Sequence, residues 1–93
     1  MASNTWYVYM LECQGGRIYT GITPDVTARF EKHRSRRGAL FTRINKPIRL
    51  LAVMPCGSRG LATRVESTLK KFERNNKLLW AAEWPWNKEG QWT

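Results

Sequence analysis

Hydrophobic and polar positions change period several times along the chain. Trp6-Tyr7-Val8-Tyr9-Met10-Leu11-Glu12-Cys13 is an aromatic, β-branched run too short for a stable helix, and it predicts a strand. Gln14-Gly15-Gly16 follows as a tight turn in which glycine supplies positive φ. Arg17 to Thr23 is a second β-rich run, so the two form a hairpin. The two-residue period puts Tyr7, Tyr9 and Leu11 on one face of the first strand. On the second strand it puts Ile18, Thr20 and Ile22 on one face, Tyr19 and Gly21 on the other. Thr23-Pro24-Asp25 reads as a helix start, with a capping hydroxyl, proline at the first helical position and an acid in the first turn. That helix runs from Val26 to about Ser35, with Val26, Phe30 and His33 on neighbouring turns of one side.

After Gly38, Ala39 to Asn45 predicts a short helix or ordered loop, and Ile48 to Met54 a third, mostly buried strand stopped by Pro55 and Gly57. Ser58 caps the next helix, whose apolar stripe is read as Leu61, Val65, Leu69 and Phe72. Asn75-Asn76 marks an end or kink, and Lys77 to Glu83 a final short helix. The expected architecture is α+β: a small three-stranded, mainly antiparallel sheet flanked by helices in the order β-β-α-α-β-α-α. Residues 1–93 make one domain, with a core at about 6–77 and a tryptophan-rich tail at about 78–93. In that tail Trp80, Trp84, Trp86 and Trp92 are read as hydrophobic docking rather than a base-stacking platform.

Composition adds a partner. The 16 Lys and Arg outnumber the 7 Asp and Glu, for a formal net charge of +9. No acid lies between Glu31 and Glu66, a stretch that holds Lys32, Arg34, Arg36, Arg37, Arg43, Lys46, Arg49, Arg59 and Arg64. Outside it, the remaining cations and all the acids balance. A positive field concentrated in this way attracts polyanions, nucleic acid foremost. Cys13 and Cys56 are too few for a disulfide scaffold and lack zinc spacing, so they read as reduced thiols of a cytoplasmic protein, one disulfide between them being the alternative. No apolar run approaches the ~20 residues of a membrane span, and no secretory signal is visible.

The chemistry rests on an ordered set of residues. Tyr7-Val8-Tyr9 resembles the first element of the GIY-YIG nuclease superfamily, and Tyr19-Thr20-Gly21 resembles the second. Arg29 stands at the family's arginine position, His33 one helical turn later at a position filled by His or Tyr, and Glu66 at that of the metal-binding glutamate. The chain looks most like the small stand-alone bacterial branch, over about residues 6–77. Both tripeptides depart from the letters that name the family: Tyr7 and Val8 replace Gly and Ile, and Thr20 replaces Ile. The family's asparagine has three candidates, Asn75, Asn76 and Asn87.

The resemblance implies a metal-dependent endonuclease acting on nucleic acid, DNA first, by structure-selective or weakly selective cutting or through a targeting protein. The alternative is a nucleic-acid-binding module without cleavage. Hydrolysis of a phosphodiester needs a base for water, charge on the phosphate and help for the leaving oxygen. The resemblance assigns the base to Tyr9, with Tyr19 and His33 orienting it or relaying the proton. His33 has the intrinsic pKa to serve as base itself. Arg29 offers a planar fork for two phosphate oxygens. Glu66 offers one hard donor, which suits Mg²⁺, or Mn²⁺ as the alternative. Arg34, Arg36, Arg37, Arg43 and Lys46 are expected to contact phosphates without reading bases. If these five site residues form one centre, both helices should lie over the tyrosine face of the sheet. Glu66 also stands four residues before Lys70, the order of an ordinary helical ion pair.

Overall fold

The first strand is apolar on both faces, as expected of a strand covered on both sides. The computed structural model describes residues 5–86 and places β1 (Trp6–Cys13) at the centre of a three-stranded sheet of order β2-β1-β3. β2 (Arg17–Thr23) and β3 (Pro47–Cys56) both run antiparallel to it. The linking turn holds Gly15 at φ 77° and Gly16 at φ 73°, where a side chain would be strained. The hairpin register sets Tyr9 opposite Gly21 and Leu11 opposite Tyr19.

Each sheet face carries its own core. Tyr9, Leu11, Cys13, Leu50 and Val53 pack with Val26 and Phe30 of α1 (Val26–Arg34) and Phe41 of α2 (Leu40–Ile44). Val8, Met10, Ala52 and Cys56 pack with Ala62, Val65 and Leu69 of α3 (Arg59–Lys70) and with Trp80 and Ala81 of α4 (Arg74–Glu83). The two cysteines are free and buried in opposite layers. Among the described residues, no helix is long and apolar enough to cross a membrane.

Several local expectations shift. Asp25, rather than Thr23, caps α1, its carboxylate accepting from Ala28 N–H at 3.1 Å, while Thr23 Oγ1 accepts from Asp25 N–H at 3.0 Å. Ser58 caps α3 as expected, accepting from Leu61 N–H at 3.1 Å. The stripe on α3 is rotated: Ala62 and Leu69 are buried and Val65 half-buried, whereas Leu61 and Phe72 are exposed. Alanine at the closest approach lets α3 lie near the sheet, a signal that a search for large apolar residues passes over. Asn75 and Asn76 sit in the first turn of α4 rather than before it. β3 includes both Pro47 and Pro55, which an outer strand tolerates at its ends. Pairing of β1 with β3 skips Leu51 and Ile48, two irregularities that bring Leu50 onto the same face as Val53.

The chain then returns to β3. Val53 N–H donates to Trp84 O and Trp86 N–H to Leu51 O, both at 3.0 Å, around a bridge between Ala52 and Pro85. Trp80 and Trp86 pack on opposite layers, in keeping with hydrophobic docking, while Trp84 is 36% exposed. Trp92 lies outside the described residues.

On the α3 side, Thr20 is buried and its hydroxyl has no hydrogen-bond partner among the described residues. An unmade bond in that setting costs about 1–3 kcal/mol. Thr20→Val, which keeps the shape, is expected to raise unfolding stability by about 1 kcal/mol in urea titration. A loss of stability would show that the hydroxyl is bonded in solution.

Candidate active site

Tyr9 and Tyr19 reach the same face from neighbouring strands, their ring centroids 6.2 Å apart. His33, on the last turn of α1, is fully buried beneath them. Its ring lies 5.9 Å from that of Tyr9 and edge-on to Tyr19 at 5.0 Å. Tyr9 Oη and His33 Nε2 are 2.8 Å apart, and His33 Nδ1 and Thr42 Oγ1 are 2.7 Å apart. The Thr42 hydroxyl donates to Ala39 O at 2.9 Å. A hydroxyl has one proton, so Thr42 can only accept from His33. Nδ1 therefore carries the imidazole proton, Nε2 is bare, and the Tyr9 hydroxyl donates to it. The order of donors along Tyr9, His33, Thr42 and Ala39 follows from these contacts alone.

Arg29, one turn before His33 on α1, lies near enough to the Tyr9 and Tyr19 hydroxyls for both to raise its pKa, Tyr9 most. Burial pushes the Tyr9 phenol well up, with neighbouring Arg29 pulling the other way. Burial, and then the Arg29 charge, push the His33 imidazole down from 6.5 to about 4. At neutral pH the resting cluster is thus an un-ionised phenol bonded to a neutral imidazole.

Two glycines make room for it. A Cβ on Gly21 would sit 2.5 Å from Tyr9 Oη, and one on Gly38 would sit 2.9 Å from His33 Cε1. Thr42 and Gly38 were not legible as site residues. Only their spacing after His33 across a helix break could have suggested contact.

The depressed imidazole makes stability depend on pH. Between about 4 and 6.5 the unfolded chain binds a proton that the folded chain excludes. The contribution is complete above the unfolded value and is lost as the pH falls through that window. Going from about pH 7 to about pH 5 is expected to remove about 2 kcal/mol through this group. Urea titrations of the unmodified protein and of His33→Leu check it. Equal losses in both would assign the acid sensitivity to other groups.

Glu66 is placed differently from the sequence expectation. Its helix, α3, packs on the sheet face opposite α1, so the two helices do not share the tyrosine face. The sheet is thin and covered on both sides, and apolar periodicity cannot say which side a helix takes. The Glu66 carboxylate still acts across this distance: its charge helps to raise the Tyr9 phenol, as the smallest of the influences on it. The side chain is 19% exposed and pairs with Lys70 at 3.1 Å. So Tyr9, Tyr19, Arg29 and His33 form one cluster, and Glu66 reaches it by charge rather than by contact.

A divalent ion needs hard oxygen donors. Among the described residues, no three His, Cys, Asp or Glu side chains gather to hold one. A single carboxylate such as Glu66 fits Mg²⁺, which keeps several waters and takes the rest of its shell from phosphate.

Of the expected phosphate contacts, Arg43 and Lys46 are exposed at α2 and just beyond it. Arg36, also exposed, holds φ 65°, unusual for a residue with a side chain. Arg37 donates to Ser35 Oγ at 3.1 Å. Arg34 pairs with Glu31 at 3.0 Å, so its charge is shared on an exposed surface. Asn75 and Asn76 are exposed on α4, and Asn87 lies outside the described residues.

Comparison with known proteins gives a consistent result. The model of a family described as the GIY-YIG catalytic domain matches residues 5–90. A UPF0213 protein of Cupriavidus necator is 42% identical over 84 residues, covering 90% of this chain and 91% of that one. One of Xanthomonas axonopodis pv. citri is 40% identical, covering 90% and 82%. The solution NMR structure of a UPF0213 protein from Bacillus halodurans shares 40% identity and a TM-score of 0.54, covering 85% of this chain and 84% of that chain.

Proposed function

Because the chain belongs to the GIY-YIG catalytic domain family, we propose that it is a metal-dependent endonuclease that hydrolyses phosphodiester bonds in DNA. The observation that carries this reading is the ordered donor chain from Tyr9 through His33 to Thr42. An incoming phosphate attracts the Arg29 guanidinium, whose fork suits two phosphate oxygens, and frees a lone pair on Tyr9 Oη. The attacking water gives its proton to Tyr9 Oη while the phenol's own proton moves to His33 Nε2, whose basicity rises as the phosphate offsets the Arg29 charge that, after burial, holds the imidazole down. Thr42 holds the imidazole ring through Nδ1, so that Nε2 stays aimed at Tyr9. Tyr9 and His33 are both buried at rest, at 2% and 0% exposure, and Tyr9 is the member of the pair beside Arg29, where a phosphate would enter. Tyr19, whose hydroxyl also favours the charged form of Arg29, would help to keep the guanidinium beside the site. Glu66 would hold Mg²⁺ or Mn²⁺, and such an ion, when bound, offsets charge on the leaving oxygen.

Arg34, Arg36, Arg37, Arg43 and Lys46 would bind phosphates from one exposed basic region, giving affinity with little sequence preference. Selection by DNA structure or by a targeting protein in the cytoplasm follows naturally from such contacts. One observation favours the second reading, a binder without cleavage: Glu66 is already paired with Lys70.

Incubation of supercoiled plasmid and branched DNA with the protein in Mg²⁺, Mn²⁺ or EDTA separates the two. Cutting is expected with either ion and not in EDTA. Binding without cutting in all three would leave the binding module. In the same preparations, log affinity should fall with log salt by about 0.9 for each neutralised phosphate. Arg34→Ala/Arg36→Ala/Arg37→Ala should flatten that slope. A slope near zero in the unmodified protein would remove nucleic acid as the partner.

A further inference from the structure

The seven cations outside the central basic block are numerically balanced by acids along the sequence. Three of them come together in one groove whose lining holds no acid, although Glu73 stands next to Arg74 in sequence. These are Arg17, Arg74 and Lys77, which line a volume of about 460 Å³ with Gly15, Gly16 and Phe41. The groove joins the hairpin turn to α2 and the start of α4. Its walls are held in place: Arg74 Nε donates to Gly16 O at 2.8 Å. Arg17 folds over Gly15, where a Cβ would sit 2.6 Å from Nη1. The Phe41 ring lies 5.6 Å from that of Tyr19, so the groove borders the tyrosine cluster.

From this arrangement we propose that the groove holds one unpaired nucleotide of the strand being cut, next to the scissile phosphate. The proposal rests on the nucleic-acid reading above. Three cations suit a phosphodiester and its neighbour, and an aromatic ring at the inner wall suits a base face. The volume is that of about one nucleotide within the ordinary range of ligand clefts. An unpaired base can lay its face against Phe41 in this open groove, whereas a duplex keeps its base faces stacked on one another. The groove therefore favours single-stranded flaps, gaps or branch points, and it supplies structure selectivity that the exposed basic region cannot.

The test measures binding in EDTA by the full chain, using fluorescent short oligothymidylate, a blunt hairpin duplex and thymidine monophosphate as competitor. Arg17→Ala/Lys77→Ala removes two charges from the groove. Arg59→Ala/Arg64→Ala removes the same charge from α3. Phe41→Leu removes the ring and keeps an apolar wall. Circular dichroism establishes that each variant folds, and Lys77→Glu alone is the reserve if the double variant does not. Oligothymidylate affinity is expected to fall about tenfold in the groove double variant and several-fold in Phe41→Leu. The control pair should lose much less, and duplex affinity should fall alike in both double variants. Equal losses of oligothymidylate in the two double variants would overturn the groove, as would competition by the monophosphate at the same concentration as the oligonucleotide. If the unmodified protein cuts no DNA yet shows this discrimination, the nuclease reading falls and the groove stands. If it cuts while the groove variants bind like the unmodified protein, the groove alone falls.

Discussion

Tyr9→Phe is expected to lower the DNA cleavage rate by about 10²- to 10⁴-fold, the range of a lost acid–base group, and to leave affinity nearly unchanged. The substitution deletes one hydroxyl and keeps the ring that fills the core between Leu11, Val53 and Val26. It strips the buried His33 Nε2 of its partner, so a stability loss of about 1–3 kcal/mol should accompany it. Glu66→Ala tests the other half of the chemistry. If Glu66 holds the ion, cleavage falls by a comparable factor while DNA binding persists or tightens, because a negative charge has left. If Glu66 serves only Lys70, the variant loses a few tenths of a kcal/mol and cuts normally. Cleavage rate and affinity must be measured together on folded protein. Full activity in Tyr9→Phe would end the proton path proposed for this site.

A single methyl group on the neighbouring strand should do nearly as much damage. In Gly21→Ala the new Cβ would lie 2.5 Å from Tyr9 Oη and 2.7 Å from Cζ, closer than such atoms approach. The phenol must tilt, and with it the bond to His33 and the contact with Arg29. Overpacking of this kind costs about 1–3 kcal/mol. Cleavage should drop toward the level of Tyr9→Phe, since a misplaced hydroxyl serves no better than a missing one. Gly57→Ala is the control: nothing stands within 4 Å of a Cβ there. Thermal unfolding and plasmid nicking of the two variants, side by side, check the argument. Unchanged activity in Gly21→Ala would mean that the tyrosine has room the structure does not show.

The hairpin and its faces were legible because strand alternation and a glycine turn are local signals, and Tyr9, Tyr19 and Gly21 follow from them. Arg29 and His33 were legible as one helical face. What escaped depends on layers. An apolar stripe says that α3 packs on a sheet, not on which side, so the expectation of Arg29 and Glu66 above one face failed. Leu50 joins the tyrosine layer only because pairing skips Leu51, and no alternation rule marks such an irregularity in a continuously apolar strand. Thr42 orients His33 from a separate five-residue helix. Its identity was in plain view, but contact between segments nine residues apart across a break has no periodicity to betray it. The groove cations were hidden by arithmetic: a balanced count along the chain conceals that Arg17 meets Arg74 and Lys77 in one acid-free lining.

The return of the chain onto β3 bears on how copies of the protein behave toward each other. β3 is an outer strand, and Leu51 and Val53 belong to its open hydrogen-bonding row. Trp84 and Trp86 occupy that row at its middle, Pro47 and Pro55 stand near its two ends, and Arg49 lies exposed beside Glu12. Each device denies a neighbouring molecule a place to add a strand. Edge-to-edge pairing through β3 is thereby blocked by a three-residue clasp, Trp84 to Trp86. Fusion partners, tags or truncations that disturb this clasp would change solubility before they changed the chemistry of the tyrosine cluster.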